Sequence, residues 1–152
     1  MPAHPQLTQQ SWMALVNSGN IVYTSYPTAV SPLANVTGVQ LAADAAGSKY
    51  GATVEILAAT PAVCWVCGIS INTASAIDQY MVRLSVGAGD GAIIAESGII
   101  DLTAATANVP PIWFPYPIRL AAAVRIGGRL ACLDAVARTL NVSVTLATNV
   151  GA

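Results

Sequence analysis

With 152 residues, of which only 9% are charged, the chain is long enough to bury its own core without metal or disulfides, yet far less charged than the roughly 25% of ordinary soluble domains. A formal net charge of −1 leaves no basic stripe to neutralise phosphates, which excludes a nucleic-acid partner. Nor does the 55% hydrophobic fraction gather into a membrane span. The charge-free run 56–77 is interrupted by Pro61, Gly68 and Asn72 and reads as two strands and a turn.

Residues 1–20 hold Pro2, Pro5 and a polar run around the short apolar cluster Trp12-Met13-Ala14-Leu15-Val16. They read as an N-terminal arm that docks on a neighbouring surface, ahead of a single β-sandwich domain over 21–152. The opening Met1-Pro-Ala-His-Pro-Gln has neither the charged nor the apolar region of a secretory signal. Strands are predicted at about 21–26, 36–41 and 53–58, with a Gly-containing loop at 42–51.

In 62–71, strict alternation puts Val63, Trp65, Cys67, Ile69 and Ile71 on one face and Cys64, Val66, Gly68 and Ser70 on the other. That strand is apolar on both faces and belongs inside a sheet or at an interface. Next comes a hairpin. Tyr80, Val82, Leu84 and Val86 alternate with Met81, Arg83 and Ser85, and Gly87-Ala-Gly-Asp-Gly91 supplies the positive φ angles of a tight turn before Ala92–Glu96 returns. A Thr/Ala connection over 97–111 ends in Pro110-Pro111.

The closing stretch begins at Ile112-Trp-Phe and passes through Pro115–Leu120 and Val124–Leu130. In Arg129–Leu140, Leu130, Leu133, Ala137 and Leu140 also fit a helical face, but Gly127-Gly128 before it and the strand after it favour a β reading. Finally Leu140, Val142, Val144 and Leu146 alternate with Asn141, Ser143 and Thr145, the pattern of a strand with one dry and one wet face. Eight or nine short strands between Gly/Pro turns, without a strong long helix, predict an all-β fold: an antiparallel, jelly-roll-like β-sandwich.

No catalytic constellation stands out, and neither an enzyme nor a cofactor is expected. Cys64-Trp-Val-Cys67 has knuckle spacing but lacks a second ligand pair, since Cys132 and His4 make a poor one. In a strand its two thiols point to opposite faces, so buried free thiols are expected; a disulfide between subunits is the alternative. His4 is the only histidine and lies in the arm, away from any general-base role. The acidic residues are scattered singly, and Gly87–Gly91 lacks the Lys-Ser/Thr of a phosphate loop. Arg119, Arg125 and Arg129 fall close together as solvated strand residues or as inter-subunit ion-pair donors. Six basic and seven acidic residues spread over a folded surface of roughly 7,000 Å² leave apolar patches bare, so a homo-oligomer is expected.

Tyr80–Ala92, with its Gly-x-Gly turn, is followed by Phe114-Pro-Tyr-Pro-Ile-Arg-Leu120, Val124-Arg-Ile-Gly-Gly-Arg-Leu130 and a final alternating strand. Over about 62–147 this order resembles small β-sandwich virion proteins of tailed bacteriophages. Ala121-Ala122-Ala123 stands where that pattern has a Pro/Gly corner. The resemblance implies a capsid decoration (cement) protein on the virion surface. It would be a homo-oligomer, trimeric by analogy, bound across joints of the major capsid protein, with no catalytic residues carried over. The alternative is a receptor- or carbohydrate-binding β-sandwich of a tail or fibre, with Trp12, Trp113 and Tyr116 as its aromatics. The residues expected at interfaces are Trp12, Met13, Leu15, Trp113, Tyr116, Arg119, Arg125 and Arg129.

Overall fold

A computed structural model describes residues 21–27, 38–89, 91–103 and 109–149. Ten strands run through them: β1 Val22–Tyr26, β2 Val39–Ala42, β3 Val54–Leu57, β4 Cys64–Ala74, β5 Gln79–Val86, β6 Ala92–Glu96, β7 Ile100–Asp101, β8 Ile112–Leu120, β9 Ile126–Cys132 and β10 Thr139–Thr148. The described residues contain no helix.

All pairings are antiparallel, in two five-stranded sheets. Sheet A runs β1-β10-β4-β8, with β2 also on β10; sheet B runs β3-β9-β5-β6, with β7 also on β5. From β2 onward the chain changes sheet at every step except β5–β6–β7, which is the weave of a jelly roll. The strand number exceeds the eight or nine expected by β7, a two-residue strand inside the stretch 97–111 that reads as a connection. β1 and β2 lie end to end along β10, and β6 and β7 share β5.

Inward side chains of both sheets make one core. Val66, Ile69, Val142, Val144 and Leu146 from sheet A meet Tyr80, Val82, Leu84, Ile126 and Leu130 from sheet B. The sheets pack because each strand gives up one apolar face to the other. In the predicted hairpin, Gly87 and Gly89 adopt φ of 94° and 59°, the left-handed region that glycine enters without a Cβ penalty.

Strict alternation fails in β4. Along β10 the register passes from Gly68 to Val66 and from Thr73 to Ile71, so Cys67 and Asn72 are extra residues. Each such bulge resets the period. Cys64, Val66, Ile69 and Ile71 therefore share the core, whereas Trp65 and Cys67 are not part of it. The expected face of Val63, Trp65, Cys67, Ile69 and Ile71 does not exist, and Val63 is exposed.

β10 needs a second correction. Its predicted wet face is dry: Asn141, Ser143 and Thr145 are 7%, 6% and 7% exposed. The strand is central, with β4 on one side and β1 and β2 on the other, so short polar side chains sit shielded between neighbouring rows. Ser25 and Thr145 answer each other there, Oγ to Oγ1 at 3.3 Å. The segment 129–139 is neither a helix nor one strand. β9 ends at Cys132, residues 133–138 form a loop, and β10 starts at Thr139. The Cys132 thiol donates into that loop, to the carbonyls of Asp134 and Val136.

Candidate functional site

On the outer face of sheet A the register aligns side chains in rows. Tyr23, Ala147, Trp65 and Arg119 form one row across β1, β10, β4 and β8; Ser25, Thr145, Gly68 and Trp113 form the next. Gly68 is required by its neighbour, because a Cβ there would stand 2.5 Å from the Ile112 carbonyl oxygen. Over this floor of small residues, Tyr23 and Trp113 meet edge to face with ring centroids 6.2 Å apart. Trp113 remains 56% exposed.

β8 is the outer strand of this sheet, and it swells in the middle. Trp113 pairs with Gly68 and Ile118 with Val66, so Phe114-Pro115-Tyr116-Pro117 stands opposite the single residue Cys67. Phe114 and Ile118 turn toward the core, while Tyr116 projects outward, 70% exposed. Arg119 is exposed as well and has no acidic partner among the described residues.

Arg125 and Arg129 belong to the other sheet. Arg125 pairs with Glu55 at 2.8 Å and donates to the Gly87 carbonyl, and Arg129 donates to the Gly51 carbonyl at 2.7 Å. Sequence proximity thus placed together three arginines that the fold distributes over two faces. Beside them, Arg83 donates to Glu96 and lies 3.9 Å over the Tyr50 ring, whose hydroxyl also donates to Glu96. The hydrogen bond from Arg83, then that from Tyr50, holds the Glu96 carboxyl below its usual range. Burial and the Glu96 bond push the Tyr50 phenol up.

Next to this network lies a cleft of about 190 Å³. The cross-strand pairs Met81–Ala131 and Tyr80–Cys132 form its floor. Tyr50, Ile99 and Leu133 wall it, the last two 72% and 59% exposed. Carboxylates gather at this end. Asp101 pairs in register with Gln79, and Asp78 accepts the backbone N–H groups of Gln79 and Asp134. Asp134 itself is paired with Arg138.

All three cysteines are free and buried. Burial raises each thiol, Cys67 most clearly, to about 12. Among the described residues no group of three or more His, Cys, Asp or Glu side chains could hold a metal ion. Trp12, Met13 and Leu15 lie outside the described residues.

Sequence reasoning did not find Tyr50, Glu96 or the cleft. Glu96 was nearly within reach: counting back from the pair Val86–Ala92 puts Arg83 opposite Ala95. A bulge after Leu84 moves it to Glu96 instead. Tyr50, Met81, Ile99 and Leu133 come from four separate stretches that only the weave of the strands brings together. No family model, curated protein or solved structure matches this chain.

Proposed function

We propose that this chain is a structural virion protein, specifically a capsid decoration (cement) protein that packs as a homo-oligomer, trimeric by analogy, against a shell of major capsid protein. The observation that carries this reading is the surface. Among the described residues ten large hydrophobic side chains are exposed, including Ile77, Ile93, Ile99, Trp113, Tyr116 and Leu133. Meanwhile Arg83, Arg125 and Arg138 spend their charge on Glu96, Glu55 and Asp134 of the same chain. Little free charge is left to keep such a surface in water, and burial against other subunits is the economical remedy. The resemblance of the Tyr80–Ala92 and Phe114–Leu130 stretches to phage virion proteins points the same way.

Light scattering on the purified chain at micromolar concentration tests the assembly half: a mass of at least two chains is expected. A stable monomer of 15.5 kDa would overturn it. Electron microscopy of the particle containing the chain tests the virion half, with regular density on the outside of a shell as the expected image.

A second reading, a receptor- or carbohydrate-binding module of a tail or fibre, draws on the Tyr23–Trp113 pair and the projecting Tyr116. Aromatic faces of this kind stack on apolar ligand surfaces. Quenching of tryptophan fluorescence by a glycan panel, lost in Trp113→Ala, would favour it.

A further inference from the structure

We propose that copies of this chain join head to tail, with Tyr116 of one copy seated in the sheet B cleft of the next. The proposal rests on the assembly reading above and specifies its contact. Tyr116 is suited to the part because it stands at the tip of the β8 swelling, 70% exposed, between Pro115 and Pro117. Their rings fix φ, so little backbone freedom remains to be lost on docking.

The receiving cleft has the right size. An apolar cavity of about 150 Å³ takes up a benzene molecule, and sites for drug-sized ligands begin near 300 Å³. At about 190 Å³ this cleft has room for one aromatic ring. Met81, Ala131, Ile99 and Leu133 supply the apolar lining, and Tyr50 offers a ring edge or face to a second aromatic.

Charge favours the same partner. Arg119 lies three residues beyond Tyr116 and has no acidic partner among the described residues. Beside the cleft, Asp101 has no ion pair among the described residues, and Asp78 and Asp134 share the single cation Arg138, which is bonded to Asp134 and feels the charge of Asp78. Lys49, between the lining residues Ser48 and Tyr50, adds one cation on this side, and Asp44, whose carboxylate accepts the Ala46 N–H, adds a further carboxylate on the same loop. A cation beside the knob therefore meets an excess of carboxylate beside the hole, which is the complementarity that fixes register between partners. Knob and hole lie on different sheets, so the contact is heterologous and either closes into a ring or extends.

The test uses two single-sided variants and their mixture, after circular dichroism and thermal melts confirm that both fold. Tyr116→Ala removes the knob, and Ile99→Asp places a carboxylate on the rim of the hole. Each alone is expected to raise the dissociation constant at least about tenfold and to sediment as a monomer. Mixed in equal amounts they should give a two-chain species, since one intact knob and one intact hole remain. Arg119→Glu, which leaves both apolar parts in place, should also weaken assembly about tenfold, most strongly at low salt. A wild-type oligomer that survives both single-sided variants would overturn the knob-and-hole contact while leaving assembly itself intact. Variants that dissociate but do not recombine would overturn the head-to-tail geometry. A monomeric wild type would remove both the contact and the assembly reading.

Discussion

Tyr23 and Trp113, contributed by the two outer strands of sheet A, meet at 80° with centroids 6.2 Å apart. Two strands separate them, and the rings meet because Ala147, Thr145 and Gly68 leave room above the sheet. Edge-to-face pairs contribute about 0.5–1.5 kcal/mol beyond their burial. A double-mutant cycle of Tyr23→Ala and Trp113→Ala, read by urea unfolding, should return a coupling energy in that range. A coupling within experimental error would mean that the rings are neighbours without being partners.

Gly68→Ala should be costly, because the new Cβ meets the Ile112 carbonyl oxygen at 2.5 Å. The obstacle is backbone and yields only if β8 shifts. Overpacking of this kind costs roughly 1–3 kcal/mol, a fall in melting temperature of several degrees for a chain of this size. Gly89→Ala is the comparison: nothing lies within 4 Å of its added Cβ, and its cost is only that of a left-handed φ, about 1–2 kcal/mol. Pairing Gly68→Ala with Ile112→Val should not rescue it, since the clash is with main chain. A rescue by that side-chain change would argue against the close approach.

The thiols give a pH dependence. Burial pushes Cys67 from 9.0 up to about 12, so the folded chain holds a proton that the unfolded chain releases. The unfolded state therefore binds fewer protons between those values, and stability falls as pH rises from about 9 toward 12. Denaturant midpoints measured across that range should decline less steeply in Cys67→Ala than in the wild type. Native labelling by a thiol reagent at pH 8 should be slow for all three cysteines and fast in urea. Rapid native labelling of Cys67 would contradict its burial.

Cys64→Ser and Cys67→Ser should differ. Cys64 is fully buried within the core, where a hydroxyl without a partner costs roughly 1–3 kcal/mol. Cys67 already points its sulfur at the Trp65 carbonyl, 3.4 Å away, and a serine there keeps an acceptor. Melting temperatures should rank Cys64→Ser below Cys67→Ser; the reverse order would place Cys67 in the tighter environment.

On β10, Ser143→Asp and Val144→Asp should both prevent folding. Both positions are buried, and an unpaired carboxylate out of water costs several kcal/mol. Ser143→Ala, which buries no charge, should remain soluble and close to wild type in stability. Good soluble yield of Ser143→Asp would restore the one-sided strand that alternation alone suggests.

That contrast marks how far the sequence reaches. Strand positions were legible wherever apolar residues alternate between Gly or Pro turns, as in Tyr80–Val86 and its return strand, because period and turn chemistry are local. Whether the polar residues of Leu140–Leu146 meet water depends instead on which strands flank them, and sheet order is not local. Bulges hide for a related reason. Nothing in Cys64-Trp-Val-Cys67 signals that one residue is surplus, since surplus exists only relative to β10 and β8. Of the eight interface candidates, Trp113, Tyr116 and Arg119 come together on β8, while Arg129 sits on β9 and Arg125 just before it. The cleft that the fold assembles from Tyr50, Met81, Ile99 and Leu133 has no signature in any one segment.

The swelling of β8 also governs how this molecule avoids uncontrolled stacking. An outer strand normally presents a ladder of free N–H and C=O groups on which a foreign strand can crystallise, the route to fibres. Pro115 and Pro117 delete donors from that ladder, and the looped-out residues between Trp113 and Ile118 break its spacing. A chain with this much apolar surface and this little charge is thereby denied main-chain polymerisation along β8. Contacts made there depend on side chains, whose shape and sign can discriminate one neighbour from another.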